Sequence, residues 1–394
     1  MIVPLFLALL GAPGDPAPDP DPGVEITAAR RPLDLLDDRA AAGTVLLPAD
    51  LDDPGETLPA VLDQQAGLRV VRLGGPAAFS TLSIRGSSGD QVLVVLDGIP
   101  MDSAAGGAAD LSRLPLGNLE RIEVYRGASP LRFGASAIGG VLSLATRRAR
   151  GRDLAATLST GAFGERGLRL FAGERRAGWD AALGLDYAGW EGDFPYRNDQ
   201  GTRFDPSDDR AVRRRNDHAD QVNLLARGGV RLAPGWRAEA LDWFFWRDQG
   251  LPGLGQFETR AAGFRAAESH TAVRLLGEDL GGRADWTTDL SLRWTRSRVE
   301  DPDDEIGLSR GGALLEAWAP ALRSHAAAGL FPWWDVQAAA GYRWERVVAP
   351  GGAAVRHRAD GGVETGFHVA GAALSLVPSV RVEWLGSRDR GPPA

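Results

Sequence analysis

The chain has 394 residues and a formal net charge of −8. It contains neither cysteine nor lysine, which excludes disulfides, thiolate nucleophiles, Schiff-base lysines and the lysine of a phosphate-binding loop. Since there is no basic surplus, nucleic acid is not an expected partner. The length fits two or three soluble domains, or one small domain followed by one large barrel.

The first residues, MIVPLFLALLGAPGDPAPDP, place a short apolar run before a Pro/Asp-rich tract. Because this run is too short to span a bilayer, it is typical of the apolar part of a secretory signal. We therefore assign residues 1–23 as a signal-like segment and linker. Nowhere else is the sequence apolar for long enough to form a membrane helix, so a membrane location would require a β-barrel.

Residues 24–150 alternate short apolar runs with glycine-rich turns. The segment LPAVLDQQAG spaces Leu58, Val61 and Leu62 for one helix face and stops at Gly67, a C-cap residue by type. Length and β-branched content predict short strands at LRVVRL, LSIRG, QVLVVLDGI, ERIEVYRG and GGVLSLATRR. These elements predict a small α+β domain.

Residues 151–394 show a period of two, and all 12 tryptophans lie after residue 178. Leu290, Leu292 and Trp294 share one face of a strand, and Arg293 and Thr295 share the other. We predict eleven strands, at 153–161, 165–174, 179–189, 219–232, 236–247, 265–277, 283–297, 321–331, 334–347, 361–376 and 380–385. Long connections are predicted at 190–217, 248–264, 298–320 and 348–360, and tight turns between the others.

Long loops on one rim and short turns on the other are typical of an antiparallel outer-membrane β-barrel. Aromatic residues near the predicted strand ends fit the interfacial girdles of such a barrel: Trp179, Trp236, Trp246, Trp333 and Trp334. A soluble β-rich domain is the alternative, because it can show the same alternation.

The stretch LSIRGSSGDQVLVVLDGIPMD resembles a nucleotide-binding turn only superficially. Gly86 and Gly89 do not complete a dinucleotide fingerprint, and Gly134 and Gly139 have phosphate-loop spacing without the Lys-Ser/Thr pair. No serine elbow or zinc-type histidine pair is present. The sequence therefore does not predict an enzyme.

One loop, NDQGTRFDPSDDR, concentrates oxygen ligands of the kind that calcium prefers, although its spacing differs from an EF-hand. The calcium candidates are Asp199, Asp205, Asp208 and Asp209, next to Asn198. A hydrated surface loop is the simpler interpretation.

An ordered series of motifs in the first 150 residues resembles the TonB-dependent outer-membrane transporters of Gram-negative bacteria. VEITAARRP looks like their energy-coupling box, and LPAVLDQQAGLRVVRLGG looks like the first helix and strand of their plug. LSIRG, VLVVLDGIPM and DLSRLPLGNLERIEVYRGASPLRFGASAIGGVLSLATRR follow in the family's order. The resemblance implies a plug over residues 24–150 and a barrel over residues 151–394.

In this family the plug fills a barrel of about 22 strands and moves when the inner-membrane protein TonB captures the box, which is expected to add as a strand. The resemblance assigns the box to Val24, Glu25, Ile26, Thr27 and Ala28. It assigns plug structural roles to Arg85, Gly86, Asp97, Gly98, Arg126, Gly127, Gly134, Gly139 and Gly140. The candidates for substrate-facing loops are Arg72, Gly74, Gly75, Phe79, Asp102 and Asp110.

Arg85 and Arg126 are expected to pair with carboxylates on the barrel wall, since buried charge needs compensation. The resemblance implies energised uptake of a ferric siderophore or cobalamin without a resident cofactor. Its partners would be TonB, a small metal chelate or cobalamin, and outer-membrane lipid.

Eleven strands are half of the family's barrel, so we also expect that the sequence is truncated. The alternative function is a truncated, non-transporting plug and half-barrel, either a binding or signalling remnant or a nonfunctional fragment. A passive porin and a soluble hydrolase rank below it.

Overall fold

The computed structural model describes residues 43–46, 57–75, 77–102, 107–114, 116–127, 129–134, 138–202, 204–254, 257–307, 312–331, 333–369 and 374–390. None of the helices within these ranges combines the length and the apolar character needed to cross a membrane.

The first domain is a small α+β unit. Its elements are β1 (Gly43–Leu46), α1 (Leu58–Asp63), β2 (Leu68–Arg72), β3 (Ser80–Ile84), β4 (Val92–Leu96), β5 (Ile99–Pro100), β6 (Leu119–Tyr125) and β7 (Gly140–Thr146). Short 3-10 turns lie at Gly89–Gln91, Leu111–Arg113, Leu116–Asn118 and Leu131–Phe133. One sheet has the order β1-β6-β7-β4-β5, in which only β4 and β7 are parallel, and β2 and β3 form a separate hairpin.

The predicted helix is confirmed, although it ends earlier than expected. Its apolar residues Leu58, Val61 and Leu62 are buried, as the spacing predicted, but the cap residue is Gln64 and not Gly67.

The Asp97-Gly98 pair forms the two-residue turn between β4 and β5. Both residues have positive φ, 47° and 84°, and Leu96 pairs with Ile99 across the turn. Asp-Gly is a favoured sequence for such hairpins because the type I′ turn needs positive φ at both positions. The apolar run before it is thus a central strand that ends in a hairpin, and no helix follows as a dinucleotide site would require.

The second domain is a single antiparallel sheet of long strands. Its ladder contains β8 (Arg152–Thr160), β9 (Arg166–Arg175), β10 (Trp179–Trp190), β13 (Ala219–Ala233), β14 (Trp236–Gly250), β17 (Gly263–Leu280), β18 (Ala284–Glu300), β19 (Ala313–Phe331), β20 (Trp334–Ala349), β21 (Gly352–Val369), β22 (Leu374–Leu376) and β23 (Ser379–Arg390). Two small hairpins, β11 (Pro195–Asn198) with β12 (Arg210–Arg213) and β15 (Gly253–Leu254) with β16 (Phe257–Glu258), lie in its loops.

The predicted fold class, an α+β plug followed by an antiparallel barrel-type sheet, is confirmed. β22 and β23 pair with the same edge of β21 in one register, so the twelve strands occupy eleven positions, as predicted. Residues 374–376, which were predicted as the end of the tenth strand, belong instead to the eleventh position, beside β23. The predicted alternation also holds: Leu290 and Leu292 are exposed on the outer face, whereas Arg293 and Thr295 are buried against the plug.

Two predicted loops are wrong. The predicted long loop at 348–360 is a tight turn between β20 and β21, since Ala349 pairs directly with Gly352. The loop predicted at 298–320 is shorter, because β19 begins at Ala313 and continues through Pro320. The proline is tolerated because the ladder with β20 omits Ala319 and Pro320.

The plug packs on the inner face of the barrel sheet through a shared apolar cluster. Plug residues such as Leu111 and Leu114 are buried together with barrel residues Leu241, Trp243 and Phe245. Burial of this apolar surface favours the seated plug, and the polar contacts described next fix its position.

Candidate functional site: the plug–barrel interface

The hairpin turn of the plug is held by two barrel arginines. The Asp97 carboxylate accepts hydrogen bonds from Thr146 N (3.0 Å) and Thr146 Oγ1 (2.5 Å). From the barrel, Arg227 Nη1 donates to Thr146 Oγ1 at 2.6 Å and lies 3.5 Å from Asp97 Oδ2. Arg274 Nη2 donates to the Asp97 carbonyl oxygen at 2.5 Å. The barrel arginines therefore hold this turn through both the carboxylate and the backbone carbonyl group of Asp97.

The last residues of the plug form a second contact. Arg148 donates to both carboxylate oxygens of Glu239 on β14, at 2.6 and 3.1 Å. Burial alone would lower the pKa of Arg148, but the Glu239 carboxylate outweighs this and raises the pKa above its ordinary value. A bidentate pair of this kind fixes orientation as well as charge.

Asp102, at the end of β5, forms a third contact. Arg343 Nη1 donates to Asp102 Oδ2 at 2.6 Å, and Arg293 donates to the Asp102 carbonyl oxygen. Arg293 is oriented in turn by Glu345 at 2.8 Å. Burial would raise the pKa of Asp102, but the two guanidinium groups outweigh it and hold the pKa well below its usual range.

A fourth contact connects the loop after residue 106 with β17. Arg113 Nη1 donates to Glu268 Oε2 at 2.9 Å, and Arg113 Nε donates to Asp110 Oδ2 at 3.1 Å. The other Glu268 oxygen lies 2.7 Å from His270 Nε2. Burial would lower the pKa of Arg113, but the carboxylates of Glu268 and Asp110 raise it above its ordinary value.

Arg247 of β14 reaches furthest into the plug. It is 1% exposed, and it donates to the Ala77 carbonyl oxygen (2.7 Å) and the Ser112 carbonyl oxygen (2.9 Å). Gln221 orients it from the neighbouring strand at 2.8 Å, and the Phe245 ring lies 5.0 Å from its guanidinium carbon. One barrel side chain thus binds two plug loops.

A cavity of about 90 Å³ opens beside these loops. Phe79 lines it and is 40% exposed. The cavity lining also includes Asp110, Arg113, Trp243 and Glu268. A small cavity with an aromatic side chain and paired charges is suited to recognise part of a larger molecule.

The substrate-loop candidates fall into three environments. Phe79 faces the cavity, whereas Asp102 and Asp110 are bound to arginines as described. Arg72 is exposed at the end of β2. Gly74 has a φ of 154°, and Gly75 lies near the Asp217 carboxylate of the loop after β10.

The expectation for Arg85 and Arg126 is wrong within the residues that the structure describes. Arg126 donates to Thr44 Oγ1 (2.5 Å) and to the Ala66 carbonyl oxygen (2.9 Å), both in the plug. Arg85 is exposed, with a positive φ of 51°. Burial and the nearby Arg85 charge lower the pKa of Arg126. Both residues thus lie within the plug without a described barrel partner. Most of the arginines that connect the two domains lie on the barrel strands and contact the plug.

The glycines of the plug motif lie at turns and close approaches. Gly86, Gly98, Gly127, Gly134 and Gly140 have positive φ, and Gly139 lies against Ser87 and Gln91. The predicted coupling box, residues 24–28, lies outside the described residues.

Calcium binding stays an untested prediction. Asp205 accepts from Ser207 N and Oγ, Asp208 accepts from Thr202 Oγ1, and Asp209 pairs with Arg197 at 2.6 Å. Asp199 Oδ1 accepts from Gly201 N. Across the described ranges, no three His, Asp or Glu side chains are grouped so that they could hold a metal ion.

The sequence did not single out the barrel residues Arg247, Glu268, Arg293 and Arg343. The sequence did contain an indication of them, because each occupies a polar, inner-face position in a strand whose apolar and polar residues alternate. Such a position predicts a polar interior but does not tell which plug atom the side chain contacts.

This architecture, a folded plug bound to the inner face of a barrel-type sheet by ion pairs, is that of a plug-and-barrel protein. Comparison with known proteins gives the same class. The family described as TonB-dependent Receptor Plug Domain matches residues 37–141. Residues 37–141 of this chain are therefore similar to the plug domain of TonB-dependent receptors.

Relatives of known name match parts of the chain. The vitamin B12 transporter BtuB of Vibrio cholerae serotype O1 is 42% identical over 106 residues, which are 27% of this chain and 17% of that protein. BtuB of Photobacterium profundum is 29% identical over 185 residues, 46% of this chain and 28% of that protein.

Similar solved structures extend over most of the chain. The copper transporter OprC aligns with a TM-score of 0.68 at 14% identity, covering 88% of this chain and 56% of that one. The FrpB iron transporter from Neisseria meningitidis aligns with a TM-score of 0.70 at 11% identity, covering 89% and 60%. At these identities the likeness concerns the fold, and the chain spans little more than half the length of these structures.

Proposed function

We propose that this protein takes part in the energised uptake of a scarce, bulky ligand across the outer membrane of a Gram-negative bacterium. The observation that carries the proposal is the plug: its body is fixed to the barrel sheet by ion pairs, while Phe79 stays exposed at a cavity. A plug of this kind blocks passive flow and leaves one end accessible to a ligand. Ion pairs can exchange for water when the plug is pulled, unlike covalent bonds.

The ligand class that we propose is cobalamin or a ferric siderophore. Cobalamin is supported by the likeness of part of this chain to proteins named vitamin B12 transporters. Siderophores are supported by fold neighbours that include the ferric citrate transporter FecA, which has a TM-score of 0.66 at 16% identity.

The outer face of the sheet supports the location in a membrane. Trp236 and Trp246 are on the same face of β14, near its two ends. Their separation corresponds to about 34 Å of strand, and a strand tilt of about 40° reduces this to about 25 Å, the height of the apolar band of outer-membrane barrels. Trp286 packs edge-on against Trp236, with ring centroids 5.6 Å apart.

The proposal is tested by uptake in a Gram-negative host that lacks its own cobalamin and siderophore receptors. Cells expressing the full chain would be given radiolabelled cyanocobalamin or a radiolabelled ferric siderophore. We expect accumulation of one probe that depends on the proton-motive force. Accumulation equal to the empty host, or unaffected by an uncoupler, would contradict energised uptake.

A matched pair of variants tests the coupling segment. If TonB captures residues 24–28 by adding a strand, backbone hydrogen bonds carry the contact. Ile26→Pro removes an N–H donor and should abolish uptake, whereas Ile26→Ala keeps the backbone and should retain most of it. Equal uptake by both variants would argue against strand addition at this segment.

A further inference from the structure

Two plug loops approach the same barrel residue although they are far apart in sequence. The first loop, residues 73–79, connects β2 and β3 and carries Phe79. The second, residues 107–113, follows β5 and contains Asp110 and Ser112. We refer to them as the Phe79 loop and the Asp110 loop.

Arg247 bonds to both loops through one guanidinium group. Its Nη1 donates to the Ala77 carbonyl oxygen at 2.7 Å, and its Nη2 donates to Ser112 O (2.9 Å) and Ser112 Oγ (3.0 Å). The Ala77 and Ser112 acceptors are within reach of one side chain because the arginine fork is planar and presents several N–H donors in fixed directions.

Asp110 makes the reciprocal connection from inside the plug. Its Oδ1 accepts from Ser80 N (3.1 Å), directly after Phe79, and from Ser112 Oγ (2.7 Å). The carboxylate lies 3.9 Å from Arg247 Nη1. Phe79 therefore lies between two anchored residues: Ala77 is bound by Arg247, and Ser80 is bound by Asp110. Displacement of the Phe79 ring would strain both hydrogen bonds.

We propose that Arg247 is a positioning residue that makes the Phe79 loop and the Asp110 loop move as one unit anchored to the barrel wall. The functional meaning of this link rests on the proposed uptake function: a ligand that contacts Phe79 would displace the Asp110 loop and the Arg113–Glu268 pair at the same time. Since Arg247 is buried, this coupling does not depend on solvent-exposed charge.

The test is hydrogen–deuterium exchange on the full chain in detergent micelles, with no ligand required. Arg247→Met keeps the length of the side chain but removes its donors. Because a hydrogen bond to a charged group contributes about 1.5–3 kcal/mol, exchange in both loops should rise together by roughly ten- to hundred-fold. Protection in β4 and β7 should not change.

Two further variants separate positioning from general stability. Arg265→Met removes an exposed arginine on a strand next to β14 that pairs with Asp248 and Glu300, and it should leave both loops protected. Arg247→Lys keeps the charge but lacks the fork, so it should protect one loop and release the other.

The proposal would be overturned by faster exchange in β4 and β7 as well, by release of only one loop in Arg247→Met, or by no change. These outcomes are independent of the uptake assay. Coupled release without uptake of cyanocobalamin or siderophore would contradict the proposed function alone. Uptake without coupled release would contradict the role of Arg247 alone.

Discussion

Gly140 shows how closely the plug sheet is packed at the scale of one residue. It begins β7 with a φ of 135°, and a Cβ there would lie 2.4 Å from the Tyr125 carbonyl oxygen and 3.0 Å from Ile84 Cδ1. A side chain at this position would meet backbone on one side and buried apolar packing on the other. Only glycine satisfies both the dihedral angle and the contact.

Gly140→Ala should therefore destabilise the plug by about 2 kcal/mol or more, from backbone strain and overpacking combined. The measurement is the exchange rate of β6 and β7 amides, compared with Gly151→Ala. A methyl group at Gly151 would meet no atom within 4 Å, and the φ of this residue is ordinary, so its change should cost little. Equal effects of the two substitutions would contradict this account.

Residue types were predictable from the sequence, but their partners were not. The predicted strand QVLVVLDGI included Asp97 and Gly98, but the strand ends at Leu96 and the pair forms a turn, as the preference of Asp-Gly for positive φ explains. Arg126 was expected to pair with a barrel carboxylate, but it donates to the carbonyl oxygen of Ala66, which is 60 residues away in the chain. Long-range partners of this kind are fixed by the assembled fold.

At the scale of elements, three loops on one rim of the sheet are joined to one another. Asn216, in the loop after β10, donates to Thr259 Oγ1 (2.9 Å) and the Ala262 carbonyl oxygen (2.7 Å) in the next loop. Glu305, in the third loop, accepts from the backbone N–H groups of Ala261 (2.9 Å) and Ala262 (3.0 Å). These contacts make the rim a connected surface.

Glu305→Ala should release the loop at 251–262, because it removes the acceptor of successive backbone N–H groups. We expect protease cleavage within this loop to become several-fold faster, with no change in the β-sheet signal in circular dichroism. Glu300→Ala, at the end of β18, is the control and should cleave at the original rate. Resistance of the Glu305 variant would show that the other contacts of this loop, such as those from Asn216 and Tyr196, hold it without Glu305.

The same rim is protected best at neutral pH. Hydrogen bonds from the backbone N–H groups of Ala261 and Arg260 lower the pKa of Glu305 below its ordinary value. The contact is therefore complete above that ordinary value and is lost as the pH falls through the lower folded-state pKa. Cleavage of the wild-type loop by an acid-active protease should accelerate on acidification, while the Glu305→Ala variant should show a smaller change.

Element prediction succeeded where the two faces of a strand differ in polarity and failed where they do not. β13 alternates Leu224 and Ala226 with Asn223 and Arg227, and its bounds were nearly right. β21 carries glycines and many charged residues, so its first half looked like a loop. Its charges are satisfied only by neighbouring strands: Asp360 pairs with Arg323 and Arg358 pairs with Glu383. That compensation is not visible within the segment itself.

At the scale of the whole molecule, the plug is held by apolar burial and by ion pairs that face it from several strands. The pairs lie at the hairpin turn, at Asp102, at Arg113 and at Arg148, so no single one determines whether the plug stays seated. Because the contact is distributed over many moderate interactions, loss of one ion pair to water leaves the other pairs in place.

Asp102 makes this interface sensitive to acid. Its pKa lies below the ordinary value of 3.8 because Arg343 and Arg293 outweigh the effect of burial. Since the folded-state pKa is depressed, the stabilisation is present above the unfolded-state value and is lost as the pH falls through the folded-state value. Asp102→Asn should thus lower the free energy of unfolding by about 2 kcal/mol at neutral pH, with a smaller difference from wild type at an acidic pH well below the unfolded-state pKa of about 3.9, where the depressed folded-state pKa is approached. Urea unfolding of the full chain in micelles at both pH values measures this difference, and Asp90→Asn, at an exposed plug position, is the control. A difference that stays constant between the two pH values would mean that packing of the Asp102 side chain, and not its charge, holds this part of the plug against the barrel wall.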